Sequence, residues 1–138
     1  MVEHKCILVV DDDEQVLFFL REALQTLGLW CEVHVARNGL EAATMIAETP
    51  FALVITDLRM PGIDGQELTE MIRNIRQETV VIWITAFRSP EVDTAAERLA
   101  VYCCIEKPVR AAQMRHIVPK ALGVDHHGNI AASSVTGY

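Results

Sequence analysis

The chain has 138 residues, 51% of them hydrophobic, and a formal net charge of −7. That length supplies one core and not two, and the acidic balance, without any run of Lys or Arg, excludes a nucleic-acid surface on this chain. No apolar run reaches the ~20 residues of a membrane helix, and Met1 to Cys6 lacks the basic-then-apolar layout of a signal peptide, so a soluble, cytoplasmic protein with no membrane partner is expected.

Lys5 to Val10 is nearly continuous in apolar residues and reads as a strand buried on both faces. Asp13 is placed to cap a helix running to about Leu27, where Gly28 stops it. Val16, Leu20, Ala23, Leu24 and Leu27 form its core stripe, and Phe18 falls on the opposite side. A second strand, Cys31 to Val35, leads through Arg37-Asn38-Gly39 into a helix with Leu40, Ala43, Ile46 and Ala47 inward, ended by Pro50. The third strand, Ala52 to Thr56, runs into Asp57 and the Pro61-Gly62 turn, after which Asp64 caps a helix with Leu68, Met71, Ile72 and Ile75 on one face. The fourth strand, Thr79 to Ile84, ends at Thr85-Ala86. Ser89-Pro90-Glu91 then combines an N-cap, a first-turn Pro and a first-turn acid, so a helix with Val92, Ala95, Ala96 and Leu99 inward begins there.

Val101 to Ile105 is the fifth strand, and Met114, Ile117, Val118 and Ala121 mark the last helix, in which Pro119 predicts a kink or early fraying. Residues 1–123 are read as one domain and residues 124–138, polar and aperiodic from His126 onward, as a flexible tail or the start of a linker. Cys6, Cys31, Cys103 and Cys104 have neither zinc-ligand nor disulfide spacing and are expected to pack as reduced, small apolar residues. Five strands alternating with five helices predict an α/β fold, a doubly wound parallel sheet with helices on both faces. Ligands and chemistry collect at the carboxyl ends of strands in such sheets.

That edge is where the acids fall. Asp11 and Asp12 end the first strand and Asp57 ends the third. Alternation does not set the strand order, but a sheet whose first and third strands flank the switch point would bring them together. Three converging carboxylates require either raised pKa values or a cation. An all-oxygen ligand set favours Mg²⁺ over zinc. Thr85 and Lys107 project from the same edge, so a carboxylate, a cation, an ammonium and a hydroxyl form a set suited to accepting a phosphoryl group.

Val10-Asp11-Asp12, the run Asp57-x-x-Met60-Pro61-Gly62-x-Asp64-Gly65, Thr85-Ala86 and Lys107-Pro108, in this order over Lys5 to Leu122, resemble a bacterial two-component response-regulator receiver domain of the chemotaxis-regulator type. The resemblance implies a flavodoxin-like fold with strand order 2-1-3-4-5 and a cis Lys107–Pro108 bond. It implies Asp57 as phosphoacceptor, Mg²⁺ held by Asp11, Asp12, Asp57 and the Arg59 carbonyl, and Lys107 and Thr85 contacting the phosphoryl group. The implied donor is a sensor histidine kinase or a histidine phosphotransfer protein, and the implied output an effector domain or protein. The protein would catalyse its own phosphorylation and dephosphorylation while acting as a switch, and the resemblance allows a weak homodimer through the fourth and fifth helices.

Three positions depart from the pattern. Cys104 replaces the usual aromatic three residues before the Lys, Val109 replaces the aromatic after Lys-Pro, and Arg110 stands where a capping acid is common. Asp11-x-Asp13 also resembles the haloacid-dehalogenase signature, with Asp11 as nucleophile, but Gln15 departs from it. A receiver-like module that only binds protein is the third reading.

Overall fold

The computed structural model describes residues 4–130. Its strands are β1 Lys5–Val10, β2 Cys31–Ala36, β3 Leu53–Asp57, β4 Val80–Thr85 and β5 Cys103–Glu106, alternating with helices α1 Glu14–Gln25, α2 Gly39–Glu48, α3 Gly65–Ile75, α4 Pro90–Arg98 and α5 Ala111–Ala121. The strands form one parallel sheet in the order β2-β1-β3-β4-β5. This is the doubly wound, flavodoxin-like arrangement, and the Lys107–Pro108 bond is cis.

Alternation along the strands divides the core into two layers. Ile7, Val9, Ile55 and Ile84 face α1 and α5 through Leu20, Leu24, Met114 and Val118, whereas Leu8, Val10, Val54 and Trp83 face α2, α3 and α4 through Ala42, Ile46, Leu68, Ile72 and Ala95. Every residue of β3 is buried, as expected of a central parallel strand covered on both faces. The helices start where side-chain acceptors meet free amides. Asp13, Asn38, Asp64 and Ser89 accept from the amides of Gln15, Glu41, Glu67 and Val92. The Asp64 amide in turn donates to the Glu67 carboxylate, completing a capping box.

Several expected inward positions lie elsewhere. Leu40 is 69% exposed and Ala47 is exposed; Ile46 is buried as expected, with Ala42 beside it in the core. The rotation of α2 follows from Gly39, whose backbone presses on Ile63 so closely that a Cβ would collide with its carbonyl. In α3, Met71 and Ile75 are exposed and Thr69 is buried, because the Thr69 hydroxyl accepts from Trp83 Nε1 at 2.8 Å and donates to the Gly65 carbonyl at 2.7 Å. In α1, Val16 is half-buried and Leu17 joins the core; Phe18 faces outward as read. Val101 lies ahead of β5, after Ala100 has turned the chain with a φ of 55°. Pro119 does not break α5 at once: the helix closes at Ala121, and the Pro119 carbonyl accepts from the Leu122 and Val124 amides.

The chain does not leave the fold at residue 124. Val124 is buried in the α1/α5 layer and bridges Ile130, and the intervening turn lies against Trp30, whose Nε1 donates to Leu27 and His126 carbonyls. A Cβ on Gly128 would overlap the Trp30 side chain. Up to Ile130, then, packing on a buried indole replaces the expected tail, and residues 131–138 lie outside the described residues.

Candidate functional site

Register brings the acids together. Val10 pairs with Thr56, so Asp11, one residue beyond β1, stands beside Asp57, the last residue of β3. Asp57 pairs with Ile84 in β4, Thr85 pairs with Glu106 in β5, and the Lys107 amide donates to the Thr85 carbonyl at 2.8 Å. From there the Lys107 ammonium reaches back over β4, with Nζ 3.3 Å from Asp57 Oδ2 and 3.4 Å from Asp11 Oδ2. Oxygens of Asp11, Asp12 and Asp57 all lie within 4.8 Å of one another.

Burial makes this cluster electrostatically costly. Asp11 is 1% exposed and Asp57 5% exposed, while Asp12 is open to solvent. Burial pushes the Asp11 carboxyl up to about 6; the Asp13 amide on Oδ1 opposes this, and the Asp57 charge adds to it. Burial works against the Lys107 charge, but Asp11 and Asp57 outweigh it and hold the ammonium protonated above the usual lysine range. Among the described residues, Asp11 Oδ2 is buried and meets no donor in hydrogen-bonding geometry; it faces only the Lys107 ammonium, 3.4 Å away. A buried carboxylate oxygen left without a donor, with two further carboxylates beside it, fits a hard divalent cation.

The rest of the edge is shaped by the β3–α3 connection. The Arg59 amide donates to Asp57 Oδ1 at 3.4 Å, and the Gly65 amide donates to the Leu58 carbonyl at 3.0 Å. A Cβ on Gly65 would meet the Asp57 carbonyl and lie 2.9 Å from Leu58 Cα, so α3 starts directly over the end of β3. Thr85 is buried at the same edge, but its hydroxyl is engaged within its own loop, donating to the Phe87 carbonyl and accepting from the Phe87 amide. Thr85, Arg59, Met60 and Phe87 line an open groove of about 740 Å³ between the β3–α3 and β4–α4 loops. The structure thus brings Asp11, Asp12, Asp57 and Lys107 together and leaves Thr85 turned aside. Cys104, beside Trp83 in register, is half-buried, and Tyr102 is 47% exposed. Sequence reasoning missed the Trp83–Thr69–Gly65 hydrogen-bond chain under the site; a Trp in a central strand, whose indole N–H needs a partner, was the available signal.

A family model, the response regulator receiver domain, matches residues 7–119. Among curated proteins, the chain is 34% identical over 117 residues to response regulator protein PilR of Pseudomonas aeruginosa, covering 83% of this chain and 25% of that protein. It is 31% identical over 117 residues to hybrid signal transduction histidine kinase G of Dictyostelium discoideum, covering 81% of this chain and 3% of that one. A crystal structure of a CheY-like response regulator receiver domain protein from Methanospirillum hungatei matches with a TM-score of 0.81 at 28% identity, over 87% of this chain and 94% of that chain. The chain therefore spans a quarter or less of the length of these two curated relatives. Among the described residues, no helix is long and apolar enough to cross a membrane.

Proposed function

We propose, since this chain belongs to the response regulator receiver domain family, that it takes a phosphoryl group from a phosphohistidine onto Asp57 and uses the new charge as a conformational switch. An Asp57 carboxylate oxygen attacks phosphorus; the O–P bond forms as the N–P bond to the donor imidazole breaks, leaving an aspartyl phosphate. Water later hydrolyses that acyl phosphate to regenerate Asp57 and release inorganic phosphate. The Lys107 ammonium, already 3.3 Å from Asp57 Oδ2, balances the negative charge that gathers on the phosphoryl oxygens. Mg²⁺, held by Asp11, Asp12, Asp57 and the Arg59 carbonyl, would supply further charge neutralisation and orient the phosphoryl oxygens.

Thr85 completes the switch by releasing the Phe87 loop and donating its hydroxyl to the phosphoryl group. A phosphoryl group carries about −1.5 to −2 charges, enough to compete for that hydroxyl. With Cys104 in place of an aromatic, Lys107 and the strand-end loops carry more of the response. The donor is a sensor histidine kinase or a histidine phosphotransfer protein, the output passes to an effector domain or protein, and the setting is the cytoplasm. The observation that supports this reading is the convergence of Asp11, Asp12, Asp57 and Lys107 on one buried strand edge with Asp11 Oδ2 left without a donor. A small-molecule acyl phosphate with Mg²⁺ should add one phosphoryl group, seen by intact mass, to the wild type and none to Asp57→Asn; equal labelling of the two sinks the proposal.

A further inference from the structure

The described residues hold a second group of metal-ligating side chains, on the opposite side of β1 from the acid edge's central strand. Cys6 in β1 pairs in register with Glu32 in β2, and His34 lies two residues along, so all three side chains project from the same face of two adjacent strands. Cys6 Sγ and His34 Nε2 each lie 3.1 Å from Glu32 Oε2, and the three ligand atoms are all within 4.8 Å of one another. Four-coordinate zinc, with bonds of about 2.0–2.3 Å, requires ligand separations of about 3.2–3.8 Å. The His34 ring is held edge-on against Phe51, centroids 5.5 Å apart at 74°, which limits its rotation while Nε2 meets Glu32.

We propose that Cys6 Sγ, Glu32 Oε2 and His34 Nε2 form a site for a borderline-soft divalent cation of the zinc class, clasping the edge strand β2 to β1. Thiolate, imidazole and carboxylate together select such an ion over Mg²⁺ or Ca²⁺, which take oxygen ligands. Thiolate and carboxylate also neutralise its two charges. Hydrogen bonds from His34 and Cys6, with further help from the nearby His4 charge, hold the Glu32 carboxyl below its usual range. Burial and the Glu32 neighbour push the Cys6 thiol up, so the metal-free group is protonated at neutral pH. Binding forms the metal–sulfur bond and breaks the S–H bond, releasing one proton per ion to solvent. The site is independent of the phosphorylation chemistry.

The test uses the untagged, reduced chain with Mg²⁺ in excess to occupy the acid edge. Co²⁺ is titrated by absorbance and then displaced with Zn²⁺. One equivalent should produce a thiolate-to-cobalt charge-transfer band and intense visible bands of a four-coordinate ion, with one proton released and all bands removed by Zn²⁺. Cys6→Ser should lose the charge-transfer band, and His34→Gln and Glu32→Gln should bind at least tenfold more weakly. A His126→Ala/His127→Ala variant should bind as the wild type does. A charge-transfer band that survives Cys6→Ser, or binding without saturation at one equivalent, overturns the site. Should Cys6→Ser fail to fold, His34→Gln, altered at a partly exposed edge position, decides: unchanged Co²⁺ affinity refutes the proposal.

Discussion

Replacing Asp11 by Asn should stabilise the metal-free protein at neutral pH, and by less as the solution is acidified. Asp11 is 1% exposed, and its carboxyl is pushed from 3.8 to about 6. Each pH unit of that displacement is worth about 1.4 kcal/mol, so ionised Asp11 costs the native state about 3 kcal/mol relative to the unfolded chain. Asn keeps the oxygen that accepts from the Asp13 amide at 2.9 Å. Its new amide group faces Lys107 without an acceptor, which cancels about 1–2 kcal/mol and leaves a net gain of about 1–2 kcal/mol. The folded-state value lies above the unfolded one, so the native wild type binds more protons between the two. Its stability therefore recovers as pH falls through about 6, and the recovery is complete near 4. The Asn variant has no such recovery, and the difference between the two proteins should shrink over that interval. Urea unfolding of both in chelator, at about pH 7.5 and about pH 5, reads the difference directly. A variant less stable than wild type at the higher pH, or a difference that does not change with pH, would refute the electrostatic account of the cluster.

Mg²⁺ should raise the melting temperature of the wild type at constant ionic strength, by the equivalent of about 2.7 kcal/mol at 100 times its dissociation constant. Asp12→Asn should shrink that rise; an unchanged rise would remove Asp12 from the cation site. Gly65→Ala should lose about 2 kcal/mol in urea unfolding, because its Cβ would press on the Asp57 carbonyl and Leu58 Cα, both backbone. A neutral or stabilised Gly65→Ala would mean that α3 does not seat on the end of β3. Trp83→Phe removes the 2.8 Å bond to Thr69 and buried volume besides, and should cost about 2 kcal/mol by the same measurement; under half of that would make the Trp83–Thr69 chain incidental.

What could be read ahead of the structure was whatever is encoded locally. The apolar β-branched run into Asp57 gave a strand and placed the acid at its end, and the caps at Asp13, Asp64 and Ser89 lie where short side-chain acceptors precede helical periodicity. The convergence of Asp11 and Asp57 needed the strand order, which the resemblance supplied and alternation did not. Leu40, Met71 and Ile75 were misplaced because apolar residues on α2 and α3 span more than the inward arc, and which part faces in is decided by distant contacts: Gly39 on Ile63, and Thr69 on Trp83. The turn after α5 looked unstructured because its partner, Trp30, is 96 residues away from His126 in sequence. Cys6, Glu32 and His34 could not be grouped from spacing at all, since only the β1–β2 register makes them neighbours. Thr85 was placed at the right edge, but which way its hydroxyl turns depends on the Phe87 loop.

The central claim is that Asp57, among three crowded carboxylates, is the one that carries the phosphoryl group. Borohydride reduces an acyl phosphate but not a carboxylate, turning a phosphorylated Asp into homoserine at that position alone. The chain should be incubated with an acyl phosphate and Mg²⁺, quenched with borohydride, digested and mapped by mass spectrometry. Homoserine at position 57, and its disappearance when Mg²⁺ is chelated, is the predicted result. Homoserine at position 11 or 12 with an unaltered Asp57 would contradict the account, as Asp11 or Asp12 would then be the nucleophile at this edge.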